Sequence, residues 1–255
     1  MTFVLHAVPC LSDNYAYLIH DPDTSVTACV DVPEAAPILA ALQAKGWALD
    51  HILITHHHAD HIDGVADLVA ATGAQVWGAA ADAHRLPPLD HALAEGDVVQ
   101  IGGQSGHVID VSGHTIGHIA FHFPQSALCF TADSLMALGC GRLFEGTPAQ
   151  MWDSLMKLMA LPEDTLICSG HDYLGGNGAF ALSLTPEDTA LRARLEQVAQ
   201  NRMTSTPQAI CALSLELATN PFLRAADPAY RAAVGLADMT AVQAFAALRA
   251  GKDKF

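Results

Sequence analysis

Basic residues are scarce in this 255-residue sequence: 12 Lys and Arg stand against 27 Asp and Glu, for a formal net charge of −15. Phosphate backbones are bound by clusters of cations, so this balance argues against a nucleic-acid partner. Long apolar runs are missing as well. None approaches the roughly 18 to 20 residues of a membrane span, and no membrane partner is expected. No basic stretch precedes Pro9, His6 interrupts the apolar one, and the first Arg is Arg85. That pattern reads as neither a signal nor a transit peptide. None of the six cysteines (10, 29, 129, 140, 168 and 211) belongs to a Cys-x-x-Cys pair. They read as free thiols in a reducing compartment, and a cytoplasmic, monomeric protein is expected. Charged residues make up only 15% of the chain and apolar ones 51%, enough for one large domain or a catalytic domain with a small companion.

What is abundant is histidine, and it is clustered. The apolar run Ile52-Leu53-Ile54 leads directly into Thr55-His56-His57-His58-Ala59-Asp60-His61. On a strand end His56 and His58, two apart, point to the same side, while Asp60 and His61 fall where a helix begins. Four metal-capable side chains from one segment exceed what one zinc needs while keeping an open position, so the segment suggests two metals. Three later segments supply candidates for the rest: Gly113-His114-Thr115-Ile116-Gly117-His118, Phe130-Thr131-Ala132-Asp133-Ser134 and Ser169-Gly170-His171-Asp172-Tyr173. Each follows a short β-type run, where sheet enzymes place their chemistry. Imidazole and carboxylate donors without thiolate suit zinc, iron or manganese.

In this order, T-H-H-H-A-D-H, G-H-T-I-G-H, F-T-A-D-S and S-G-H-D-Y resemble the metallo-β-lactamase superfamily, and within it the glyoxalase II (hydroxyacylglutathione hydrolase) family. Further segments carry the resemblance across nearly the whole chain: P-C-L-S-D-N-Y at 9–15, G-C-G-R-L-F-E-G at 139–146, A-T-N-P-F-L-R at 218–224 and L-R-A-G-K-D at 248–253. The resemblance implies an α+β fold. This is a four-layer αββα sandwich of two mixed sheets with a small C-terminal all-helical domain. It implies that His56, His58 and His114 hold one divalent metal, that Asp60, His61 and His171 hold a second, and that Asp133 bridges both. Asp60 and Asp133 are the catalytic candidates, with a hydroxide between the metals as nucleophile. The implied substrate is a glutathione thioester, S-D-lactoylglutathione, contacted by Arg142, Phe144, Tyr173, Asn177, Arg249 and Lys252. The family usually has Tyr where this chain has Phe144, so one phenolic hydrogen bond is expected to be missing. Rival readings within the fold are a mononuclear-iron persulfide dioxygenase and another metallohydrolase such as a lactonase. A metal-binding protein without activity is a rival of another class.

Charge divides the chain. Residues 1–173 hold 4 Lys and Arg against 20 Asp and Glu, whereas residues 174–255 hold 8 against 7. The shift coincides with Gly175-Gly176-Asn177-Gly178, read as a breaker, and the boundary is placed there: a catalytic domain 1–173 and a glutathione-binding domain 174–255. β-type and helical runs alternate before it and helices follow it. Thr185-Pro186 predicts one helix start, Asp227-Pro228 a second, and Thr240 with Gln243 a capping box for the last, closed by Gly251. Outside the proposed ligands, Asp31 could orient an imidazole or simply sit in a turn. His57 and His118 read as packed or supporting residues.

Overall fold

The computed structural model describes residues 1–202 and 209–255. The elements in chain order are β1 (Val4–Cys10), β2 (Asn14–His20), β3 (Thr27–Val30), α1 (Ala35–Lys45), β4 (His51–Leu53), α2 (Ala59–Ile62), α3 (Val65–Thr72), β5 (Gln75–Ala79), β6 (His91–Leu93), β7 (Val98–Ile101), β8 (Gln104–Asp110), β9 (Ile119–Phe123) and β10 (Leu128–Ala132). There follow β11 (Leu135–Met136), β12 (Gly139–Cys140), α4 (Pro148–Met159), β13 (Leu166–Ser169), α5 (Leu174–Leu184), α6 (Thr189–Arg202), β14 (Ile210–Ala212), α7 (Leu213–Thr219), α8 (Pro221–Arg224), α9 (Pro228–Ala233) and α10 (Ala241–Lys252).

Among the described residues the strands form two sheets, ordered β1-β2-β3-β4-β5-β6 and β14-β13-β10-β9-β8-β7, with β11-β12 as a separate hairpin. Both sheets mix parallel and antiparallel pairs. Their central strands are covered on both faces, which is why β9 and β10 are buried at every position rather than alternating. Between the sheets lie Tyr17, Ile19, Leu53, Phe121, Phe123 and Phe130. Burying each such side chain stabilises the fold by about 1.5–3 kcal/mol. Helices α1 and α3 cover the outer face of the first sheet through Leu18, Ile38, Ile52 and Leu68. The outer face of the second meets α4 and the C-terminal helices in one cluster that includes Leu155, Ile167, Phe222, Phe245 and Leu248. The αββα layering expected from the resemblance is therefore present.

Several local readings differ from the structure. Among the described residues after 173 the regular elements are helices except for β14, which pairs antiparallel with β13 and extends the second sheet. Gly175-Gly176-Asn177-Gly178 is not a breaker but the first turns of α5. A Cβ on Gly178 would lie 2.5 Å from Leu195 Cδ2, so α5 packs closely on α6 there and a larger residue would have to displace the Leu195 side chain. Thr185 follows α5 instead of capping α6, whose first amides are held by Asp188, at 3.0 Å from Leu191 N to Oδ1. The capping boxes of α4 (Thr147 with Gln150) and α10 (Thr240 with Gln243) both form, but α10 runs through Gly251 to Lys252. All six cysteines are free thiols, five of them buried. Among the described residues no helix is long and apolar enough to cross a membrane.

Candidate metal centre

The chain leaves β4 through Ile54 and Thr55, carries His56, His57 and His58 on a loop, and enters α2 with Asp60 and His61 in its single turn. His114 lies between β8 and β9, Asp133 directly follows β10, and His171 follows β13 by two residues. Ala132, at the end of β10, has φ +42°, where β10 also shifts register against β13. A non-glycine residue in this region costs about 1–2 kcal/mol. The bend delivers Asp133 into the space between the other side chains.

Two donor sets result. His56 Nε2 and His114 Nε2 lie 3.1 and 2.9 Å from His58 Nδ1. His171 Nε2 lies 3.3 Å from His61 Nε2 and 3.2 Å from Asp60 Oδ2. Asp133 stands between them: its Oδ2 is 3.4 Å from His114 Nε2 and 3.3 Å from His171 Nε2, and its Oδ1 is 3.6 Å from His61 Nε2. A tetrahedral zinc with bonds near 2.1 Å separates its ligands by roughly 3.4 Å, so the spacing fits one cation per set. Asp133 Oδ1 is buried without a hydrogen-bond partner among the described residues. Such an orphan costs about 1–3 kcal/mol unless something else satisfies it, and a cation between the sets would do so. The donor set thus fits two divalent metals.

The outer ring nitrogens are held in turn. His61 Nδ1 donates to Asp31 Oδ2 at 2.8 Å and His171 Nδ1 to Asp13 Oδ1 at 2.8 Å, while His114 Nδ1 donates to the Arg142 carbonyl at 2.8 Å. His56 Nδ1 is 3.0 Å from Thr55 Oγ1, whose hydroxyl donates to Asp31. Each of these bonds turns Nε2 inward as the free donor. Asn14 Nδ2 donates to both the carboxylate and the carbonyl of Asp60, at 3.0 Å each. His57 points away to Asp82 Oδ2 at 2.9 Å, and His118 stacks on His56 at 4.6 Å between ring centres, so neither joins a donor set.

Protonation follows this geometry. Burial works against a charged His61, yet Asp133 and Asp31 outweigh it and raise the imidazole to about 10. His171 is likewise raised, to about 11, by Asp133, Asp60 and Asp13 against the burial penalty. Burial opposes ionisation of Asp133 too, but His61 and His171 hold it well below the usual carboxylate range. The hydrogen bond to His171, ahead of opposing burial, does the same for Asp60. Burial and the neighbouring His114 push His58 down to about 4. Protons on His61 and His171 here take the place of cationic charge.

All six proposed substrate contacts line one cleft of about 760 Å³ that has His58, Asp60, His114, Asp133 and His171 in its wall. Their exposure differs. Arg142 and Phe144 are open to solvent, and Phe144 lies edge-on to His58 and His114 at 5.6 and 5.3 Å. Tyr173 stacks on His171 at 4.6 Å. Lys252 Nζ donates to the Gly176 carbonyl at 3.0 Å. Asn177 and Arg249 are buried and otherwise engaged: Asn177 Nδ2 donates to Ala137 O at 3.0 Å, and Arg249 to Cys140 O at 2.7 Å and Asp253 Oδ1 at 2.9 Å. Both brace the β11-β12 hairpin beneath the cleft. Asp13, Asn14 and Asp82 had no role in the sequence reading, although the P-C-L-S-D-N-Y segment contains the first two.

The metallo-β-lactamase superfamily matches residues 18–171, and the family described as hydroxyacylglutathione hydrolase C-terminus matches residues 172–255. A Fuscovulum blasticum protein named hydroxyacylglutathione hydrolase is 62% identical over 255 residues, covering all of both chains. One of the same name from Jannaschia sp. (strain CCS1) is 61% identical over 248 residues, 97% of each chain. Among solved structures, TTHA1623 in a di-iron-bound form superposes with a TM-score of 0.63 at 26% identity, over 86% of this chain and 100% of that one.

Proposed function

Because the chain belongs to the hydroxyacylglutathione hydrolase family of the metallo-β-lactamase superfamily, we propose that it hydrolyses S-D-lactoylglutathione to D-lactate and glutathione, a step of methylglyoxal detoxification. One observation carries the reading: six His and Asp side chains surround Asp133 in the wall of a cleft that also presents Arg142, Arg249 and Lys252.

In this reading His56, His58 and His114 hold one divalent cation, Asp60, His61 and His171 the other, and Asp133 spans both. Zinc suits these donors, as do iron and manganese. When bound, the cations supply an acidified water at neutral pH and withdraw charge from the thioester carbonyl. The protein's part is placement. Asp31, Asp13 and the Arg142 carbonyl fix the imidazoles, and Asn14 fixes Asp60. A carboxylate bound to a cation and held by Asn14 is a poor proton acceptor near neutrality, so Asp60 serves as a ligand rather than a base. The leaving thiolate, with a conjugate acid near pKa ~8.5, departs without a general acid. Arg142 and Lys252 meet the carboxylates of glutathione, Phe144 and Tyr173 flank the opening, and Asn177 and Arg249 keep the floor in place.

We also divide the chain at 173/174, with the donor sets before the boundary and most of the substrate-facing cations after it. The free thiols fit a reducing, cytoplasmic setting. The test is to offer metal-loaded protein S-D-lactoylglutathione and, separately, glutathione persulfide. Release of free thiol and D-lactate without oxygen uptake is expected. One iron per chain with oxygen consumed on the persulfide would overturn the reading in favour of a dioxygenase.

A further inference from the structure

One imidazole of the T-H-H-H-A-D-H segment faces away from both donor sets and into a closed ring of side chains. His57 Nδ1 lies 2.9 Å from Asp82 Oδ2, and Asp82 Oδ1 accepts from Arg85 Nε at 2.6 Å. Arg85 then grips Glu145 with both terminal nitrogens. Glu145 Oε1 returns to within 3.6 Å of His57 Nε2, which completes the circuit. Glu145 Oε2 also accepts from the Ile116 amide at 2.8 Å. Asp82 is only 1% exposed and His57 17%, so much of the ring is shielded from the solvent that weakens surface ion pairs. Arginine suits its place: a planar fork can serve two carboxylates at once.

The ring ties together the segments around one donor set. His57 stands between His56 and His58. Ile116 is two residues past His114. Glu145 follows Phe144, whose ring lies edge-on to His58 and His114. Among the described residues, the hydrogen bonds and ion pairs of the ring reach none of Asp60, His61, Asp133 and His171. We propose that His57, Asp82, Arg85 and Glu145 are positioning residues for the three-histidine donor set and for Phe144, and leave the other set untouched. The ring holds the 56–58 loop against the 114–116 loop, and it holds residues 144–145 over both. Misplacing a ligand or a substrate-facing group by a fraction of an ångström is enough to weaken what it holds.

The inference rests on the two-cation reading, and its test separates the two. Wild type, Glu145→Gln and Arg85→Met would be titrated with zinc against a chromophoric chelator, with folding checked by circular dichroism, and KM and kcat measured on the thioester. Glu145→Gln keeps the shape of the ring and serves where Arg85→Met fails to fold. In both variants one zinc equivalent is expected to bind at least about 10-fold more weakly while the other keeps its wild-type affinity, with KM raised. Arg85→Lys, which keeps the charge but not the fork, is expected to fall between wild type and Arg85→Met. Wild-type affinity at both sites in folded Glu145→Gln protein would overturn the proposal, as would equal weakening of both. Wild-type protein that takes up only one equivalent would overturn the two-cation reading instead, and this inference with it.

Discussion

Asp31 and His61 are joined by a 2.8 Å hydrogen bond from Nδ1 to Oδ2, and the same carboxylate holds both the amide and the hydroxyl of Thr55. Since His56 Nδ1 rests on that hydroxyl, Asp31 supports one imidazole of each donor set, one directly and one through Thr55. The residue sits at φ +56°, a conformation that Asp and Asn tolerate better than most residues.

Asp31→Asn therefore changes the charge behind the imidazoles without straining the backbone. It is expected to weaken metal retention about 10- to 100-fold, read by competition with a chelator. Retention equal to wild type would show that Asp31 is only a turn residue.

His61 and His171 predict how pH acts on cation-free protein. Both are raised, to about 10 and about 11, from an ordinary 6.5. A group more basic in the folded than in the unfolded chain stabilises the fold fully below the unfolded pKa. That gain is lost as pH climbs through the folded value. With chelator present, Tm should fall as pH climbs from 6.5 through about 11. Zinc must displace these protons, so its binding should release protons at pH 8 and weaken as pH falls. Calorimetry in buffers of different ionisation enthalpy counts them, and a count near zero would contradict the assignment.

Phe144 lines the cleft without a hydroxyl. Phe144→Tyr is expected to add one hydrogen bond to substrate, about 0.5–1.5 kcal/mol, lowering KM by about 2- to 12-fold with little change in kcat. An unchanged KM would place the ring outside the substrate's reach.

Lys252 and Arg249 should behave differently, although the resemblance implies both as glutathione contacts. Lys252→Ala is expected to raise KM and leave Tm nearly unchanged. Arg249→Ala removes a buried guanidinium that holds Cys140 and Asp253. It is expected to cost about 1.5–3 kcal/mol of stability as well, read as a lower Tm. Equal effects of the two on Tm would contradict the bracing role.

The donor sets were legible because each of the four motifs is a few contiguous residues after an apolar strand, and the backbone bends there deliver the side chains. Their supports were not. His171 finds Asp13, 158 positions away, and His57 finds Asp82, 25 away; neither spacing leaves a local trace. Asn177 and Arg249 look like free polar groups in sequence, and only the β11-β12 hairpin reveals what occupies them. The glycines at 175, 176 and 178 misled in the opposite direction. Local propensity reads them as a breaker, whereas they lie in the first turns of α5, where Gly178 packs closely against Leu195. The three residues of β14 are partly buried and too short to stand out from a helical surrounding.

Asp133 is the pivot of the proposed two-cation thioesterase. The most direct test of that role follows the loss of thioester absorbance with S-D-lactoylglutathione, for zinc-loaded wild type and Asp133→Ala alongside their bound zinc. Wild type is expected to carry two zinc per chain and turn the thioester over, while Asp133→Ala loses zinc and activity together. Zinc-replete wild-type protein that leaves S-D-lactoylglutathione intact would contradict the account.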